Sequence, residues 1–147
     1  MTSCTRLRPL LFSLVLTMFS IPPMRADDWP QWRGPERDGV WRETGIVAAF
    51  ASAELKPAWT APIGPGYTGP TVAGDRVFLM DRATAPEPQE RVLCFDRATG
   101  RPLWVQAYPC VYRDIDYALG PRAAVTAAGG RAFAFGAMGH AHGLDVT

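Results

Sequence analysis

Two histidines, His140 and His142, stand two residues apart near the end of a 147-residue chain. In an extended segment that spacing turns both rings to one face, which is half of a metal site. No third ligand follows at a characteristic spacing, so no metal is assigned and the rings are read as caps on a strand start. A second polar group consists of Tyr112, Asp114, Asp116, Tyr117 and Arg122, with Tyr67 earlier in the chain. These offer hydroxyl, carboxylate and guanidinium groups to a ligand, although a solvated loop is the preferred reading. Trp29, Trp32 and Arg33 are expected to pin the N-terminal segment by apolar burial and cation–π contact rather than to stack on a ligand. There is no nucleophile–base pair, Gly-rich phosphate loop or CxxC, so no catalytic residue is assigned.

Cys94 and Cys110 are expected to be buried free thiols. If they lie on the two strands of one hairpin centred on Thr99, Cys94 faces Trp104 and Cys110 lies some six residues further on. At about 3.3 Å per residue that is roughly 20 Å, well past the disulfide limit of about 7 Å between Cα atoms.

The elements that must hold these groups are strands. The chain is 48% hydrophobic with 14 Gly, 14 Pro and a net charge of +1. That balance excludes a disordered chain and gives no electrostatic footprint for nucleic acid. Such Gly and Pro usage fits many short strands joined by turns, an all-β protein of one domain.

Residues 1–26 read as a secretory signal peptide. Arg6 and Arg8 precede an apolar run from Leu10 to Ile21, and Ala26 precedes the acidic pair Asp27-Asp28. The run is too short for a membrane span, which needs about 20 helical residues. Export to the periplasm or the extracellular space follows, with a mildly acidic mature chain and no membrane span within it.

A repeat covers the remainder. Gly74-Asp75-Arg76 is echoed by Gly129-Gly130-Arg131, an offset of 55, and Asp96 by Asp145, an offset of 49. A third echo, at 45, sets Trp59 against Trp104. A Pro-rich loop insertion around Ala83 to Pro88 is expected to account for the six residues by which the first two offsets differ. Strands are expected at Thr71 to Val72, Val77 to Met80, Val92 to Phe95 and Leu103 to Ala107. Two of these are apolar at every position, so both faces must be covered, as when a sheet is stacked between neighbours. Four short strands per period of about 45 to 55 residues match one propeller blade.

Asp96-Arg97-Ala98-Thr99-Gly100-Arg101-Pro102-Leu103-Trp104 has its own physical logic. Asp96 accepts backbone N–H groups across a turn, Thr99 adds a hydroxyl and Gly100 takes a positive φ. Trp104 then projects its ring toward the adjacent blade. Burying most of an indole of about 200 Å² contributes about 5 kcal/mol at about 25 cal/mol per Å².

This D-x-x-T-G-x-x-x-W pattern resembles the tryptophan-docking repeat of quinoprotein dehydrogenases and of the wider PQQ-like β-propeller family. The opening Asp28-Trp29-Pro30-Gln31-Trp32-Arg33-Gly34-Pro35 is similar to the start of secreted members. The family's motif commonly carries Ala two positions before the Asp, where this chain has Cys94 and Gly143. The resemblance implies a partial propeller, about two four-stranded antiparallel blades of a ring of about seven or eight. Residues 27–58 would be an N-terminal extension packing on it and residues 59–147 the blades of a truncated N-terminal piece. Asp96, Thr99, Gly100, Trp104, Trp59 and Asp145 would dock blades together, and Tyr67, Asp116, Tyr117 and Arg122 would line the central channel. The expected role is a binding or scaffolding module, whose partner is the remaining blades or another protein. The alternative implied by the family is the N-terminal part of a quinoprotein oxidoreductase dependent on pyrroloquinoline quinone and calcium. The family's dehydrogenases stack the quinone between a Trp and an adjacent cysteine pair, beside acidic calcium ligands.

Overall fold

The computed structural model describes residues 26–52 and 54–146; the signal-peptide assignment falls on residues that, apart from Ala26, lie outside this range. Among the described residues seven strands make up the regular structure: β1 (Thr71–Ala73), β2 (Arg76–Ala83), β3 (Gln89–Asp96), β4 (Pro102–Pro109), β5 (Thr126–Ala128), β6 (Arg131–Phe135) and β7 (Ala141–Asp145). They form two antiparallel meanders, one of four strands in the order β1-β2-β3-β4 and one of three in the order β5-β6-β7, and neither closes on itself. No helix among the described residues is long and apolar enough to cross a membrane.

The repeat read from the sequence is a repeat of register. Ala73 pairs with Arg76 across Gly74-Asp75, and 55 residues later Ala128 pairs with Arg131 across Gly129-Gly130. Gly74, Gly129 and Gly130 all have positive φ, which a two-residue hairpin turn demands. Likewise Arg76 faces Asp96 and Arg131 faces Asp145.

The six-residue difference between the offsets is not a loop insertion, as the prolines had suggested. The β2-β3 connection spans residues 84–88 and the β6-β7 connection residues 136–140, five residues each. The extra residues form three additional strand pairs, Asp81↔Arg91, Arg82↔Glu90 and Ala83↔Gln89. The charge on four of these six positions hid them, because a strand signal rests on apolar periodicity.

The two sheets pack face to face. Phe78, Met80, Val92, Cys94 and Tyr108 of the first meet Ala132 and Ala134 of the second, with Trp104, Leu144 and Val146 partly buried beside them. On the other face of the first sheet Leu93 and Phe95 are also buried. Phe95 stacks on Trp59, with ring centroids 6.5 Å apart. Asp81, fully buried on this side, accepts hydrogen bonds from Arg91 Nε at 2.8 Å and from Gly64 N.

The N-terminal segment enters between the first strands of the two sheets. Trp29 exchanges two backbone hydrogen bonds with Val72, and Ala127 N donates to Pro30 O. Thr71 Oγ1 joins the same seam by donating to Val125 O. The segment covers an otherwise bare edge of β1. The expected roles of the neighbouring residues need correction. Trp32 is 71% exposed rather than buried, with the Arg33 guanidinium 5.7 Å from its ring. Residues 46–52 are exposed irregular chain.

Candidate functional site

The turn after β3 forms first, from local groups. Asp96 Oδ1 accepts hydrogen bonds from Ala98 N at 3.1 Å, Thr99 N at 2.9 Å and Thr99 Oγ1 at 2.7 Å, while Gly100 N closes back on Asp96 O at 2.8 Å. The Thr99 hydroxyl, followed by the two backbone amides, holds the Asp96 carboxyl below its ordinary range despite slight desolvation. Gly100 adopts φ 71°, and a β-carbon there would collide with the Trp59 ring. Trp59 Nε1 donates to Arg97 O at 2.9 Å. Trp59 therefore lies on this turn, although its own chain is irregular rather than the last strand of a sheet.

Trp104 stands in register with Cys94 and faces the second sheet, 5.9 Å from Phe78 and beside Leu144 and Asp145. Its indole N–H is buried and finds no partner among the described residues. Asp145 closes β7 opposite Arg131, the place Asp96 holds in the first sheet.

The residues expected around a channel come together only in part. Tyr67 and Tyr117 meet edge to face at 6.2 Å, and Arg122 Nη2 donates to Tyr117 O at 3.4 Å. Asp116 and Tyr117 are exposed, and Tyr117 has a positive φ of 53°. Tyr112 leaves this group altogether.

Tyr112 goes instead to Glu90, which the sequence reading did not single out. Glu90 lies on the extra hairpin segment, is fully buried between the sheets and forms no ion pair among the described residues. Its carboxylate accepts hydrogen bonds from the hydroxyls of Tyr108 and Tyr112 and from Ala137 N at 3.0 Å. Arg82, its direct cross-strand neighbour, turns away to lie 3.9 Å over the Tyr112 ring and to donate to Ala118 O. Burial by itself would raise the Glu90 carboxyl, but Tyr108, Tyr112 and Ala137 together outweigh it and hold the group below the ordinary value of 4.5. Burial, then the hydrogen bond to Glu90, pushes both tyrosine hydroxyls above their usual range.

Cys110 closes one side of this pocket, its Sγ 3.9 Å from His140 Nδ1. Burial, followed by the charge of Glu90, pushes the thiol up to about 11, so it is protonated at neutral pH and is a poor nucleophile. Glu90, Cys110 and His140 each bring one ligand atom within 4.8 Å of the others. His142 is outside the set; its ring packs on Tyr108 with centroids 4.2 Å apart, and its Nε2 is buried without a partner among the described residues. Cys94 and Cys110 are both buried and free, as the hairpin geometry required.

The pocket holds one ionised carboxylate among neutral donors, a thiol kept protonated and an exposed imidazole. Such a set binds better than it transfers protons or acyl groups. No protein-family model matches the chain, and no curated protein matches it.

Proposed function

We propose that this chain provides two neighbouring blades of a PQQ-like β-propeller and works, after export, as a binding or scaffolding module. One observation carries the reading. Phe78 and Phe133 occupy the same register position in the two sheets, as do Met80 and Phe135. Phe78 is 0% exposed, covered by the second sheet, whereas Phe133 is 45% and Phe135 56% exposed. The first sheet thus offers its Phe78 face to the opposite face of the second, and the second offers the equivalent Phe133 face to solvent. Stacking of unlike faces is head to tail, and repeated head-to-tail contacts generate a ring when the rotation between neighbours closes. A sandwich would turn a polar face outward here, not two phenylalanines.

Binding suits the described residues better than quinone chemistry does. Cys94 pairs with Trp104 near the Asp96 end of the sheet, while Cys110 N bonds to Pro88 O beyond the other end. They cannot act as the adjacent pair of a quinone site, so the described residues do not fit that cofactor.

Two measurements test this reading. An experimental structure of the complete gene product should show a further sheet over Phe133 and Phe135 with its strands in the same register; a polar loop there would overturn the propeller. The same protein, supplied with pyrroloquinoline quinone and calcium, should retain no chromophore and reduce no dye with alcohols or sugars. Turnover would restore the oxidoreductase alternative.

A further inference from the structure

We propose that Glu90, Cys110 and His140 form a binding site for a divalent transition metal of the zinc type, which joins the two sheets. The ligands come from three places: Glu90 from β3, Cys110 from just beyond β4, and His140 from the β6-β7 turn of the other sheet. In a tetrahedral zinc site, with bonds of about 2.3 Å to sulfur and about 2.0 Å to nitrogen, those two donors sit about 3.6 Å apart. Cys110 Sγ and His140 Nδ1 are separated by 3.9 Å, so the pair is already near that spacing. All three donor atoms lie within 4.8 Å of one another, so closing on a common ion requires an approach of at most about 1 Å. A thiolate, an imidazole and a carboxylate together suit zinc or cobalt and not magnesium or calcium.

Two features of the buried Glu90 point to a cation. Glu90 is a fully buried carboxylate whose only hydrogen-bond donors are neutral and which has no ion-pair partner among the described residues. A metal ion would supply the missing positive charge. The second feature is an outer shell already in place, with Tyr108, Tyr112 and Ala137 N–H fixing the carboxylate in the manner of groups that orient metal ligands. Gly136 serves the same approach, since a β-carbon there would collide with Glu90 Oε2 and with the Tyr108 hydroxyl. His140 is exposed, so water can reach a fourth position and the centre would be open rather than closed. Binding releases the Cys110 thiol proton to solvent and forms the metal–sulfur bond in its place.

Titration of the full chain with cobalt(II), followed in the near ultraviolet and visible, is the direct test. One ion per chain should give a cobalt–thiolate charge-transfer band that zinc(II) then displaces. Cys110→Ser should abolish the band, and His140→Ala, at an exposed position where folding is not at risk, should weaken binding by about 100-fold. Tyr112→Phe should weaken it about 10-fold, the usual effect of losing an outer-shell partner. Cys4→Ser, Cys94→Ser and His142→Ala should leave the titration unchanged. No band in the parent chain, a band surviving Cys110→Ser, or one lost with Cys4 or Cys94 would overturn the site.

Discussion

The indole of Trp59 lies against Gly100 so closely that no β-carbon fits between them. Gly74 also has a positive φ, of 57°, but a β-carbon there meets nothing within 4 Å. The two glycines therefore separate backbone strain from steric exclusion. Gly74→Ala should cost about 1 kcal/mol, the conformational term alone. Gly100→Ala should cost about 3 kcal/mol, because the displaced indole also gives up apolar burial and its hydrogen bond to Arg97 O. Urea unfolding of the two variants checks this, and equal losses would mean that Trp59 is not held on the turn.

Trp59 and Trp104 differ in one further respect, the state of the indole N–H. That of Trp59 donates to Arg97 O, and that of Trp104 is buried without a partner among the described residues. Phe in place of Trp59 loses a hydrogen bond and leaves a carbonyl unmet, so Trp59→Phe should cost about 1 kcal/mol more than Trp104→Phe. The comparison uses the same volume change at both sites. Chemical denaturation with tyrosine emission as the probe, since each variant alters the tryptophan signal, would show the difference.

Glu90 should make the protein acid-sensitive. Its folded carboxyl stays charged below 4.5, so as pH falls the unfolded chain takes up the proton first. The stability it contributes is complete above pH 4.5 and is lost as pH drops from there through the lower folded value. Glu90→Gln should be about 2 kcal/mol less stable at pH 7, because the amide nitrogen cannot accept from the tyrosine hydroxyls or Ala137 N–H. It should also flatten the stability profile below pH 4.5. A variant whose acid limb follows the parent's would assign the acid sensitivity to other carboxylates.

Phe78 and Phe133 are equivalent in register and opposite in exposure, so truncation should affect them differently. Phe78→Ala should cost about 3–5 kcal/mol, as for a buried core ring. Phe133→Ser together with Phe135→Ser should change stability by less than about 1 kcal/mol in the isolated chain. The double variant should also lower binding of a hydrophobic dye and any self-association seen by light scattering. A large loss of stability would show that this face is already covered.

The sequence alone determined what depends on neighbours in the chain. The Asp96-to-Gly100 turn is legible because its acceptor, hydroxyl and glycine lie within five positions and bond to one another. The hairpins at Gly74 and Gly129 are legible for the same reason, and their repetition at 55 residues foretold two sheets of like register. Residues 81–83 and 89–91, four of the six charged, fell outside the expected strands, since the apolar signal ends at Met80 and begins again at Val92, yet they are paired strand. Only the tertiary structure decided the Glu90 pocket. Cys110 is 20 positions from Glu90, and His140 stands 30 positions further on, on the other sheet. Their meeting depends on how two sheets stack, and stacking is set by the sum of many apolar contacts across Phe78, Met80 and Ala132. Side-chain spacing placed His140 and His142 together on one face, and both rings lie against Tyr108, but the approach of the two sheets gave His140 a thiol and a carboxylate as neighbours as well.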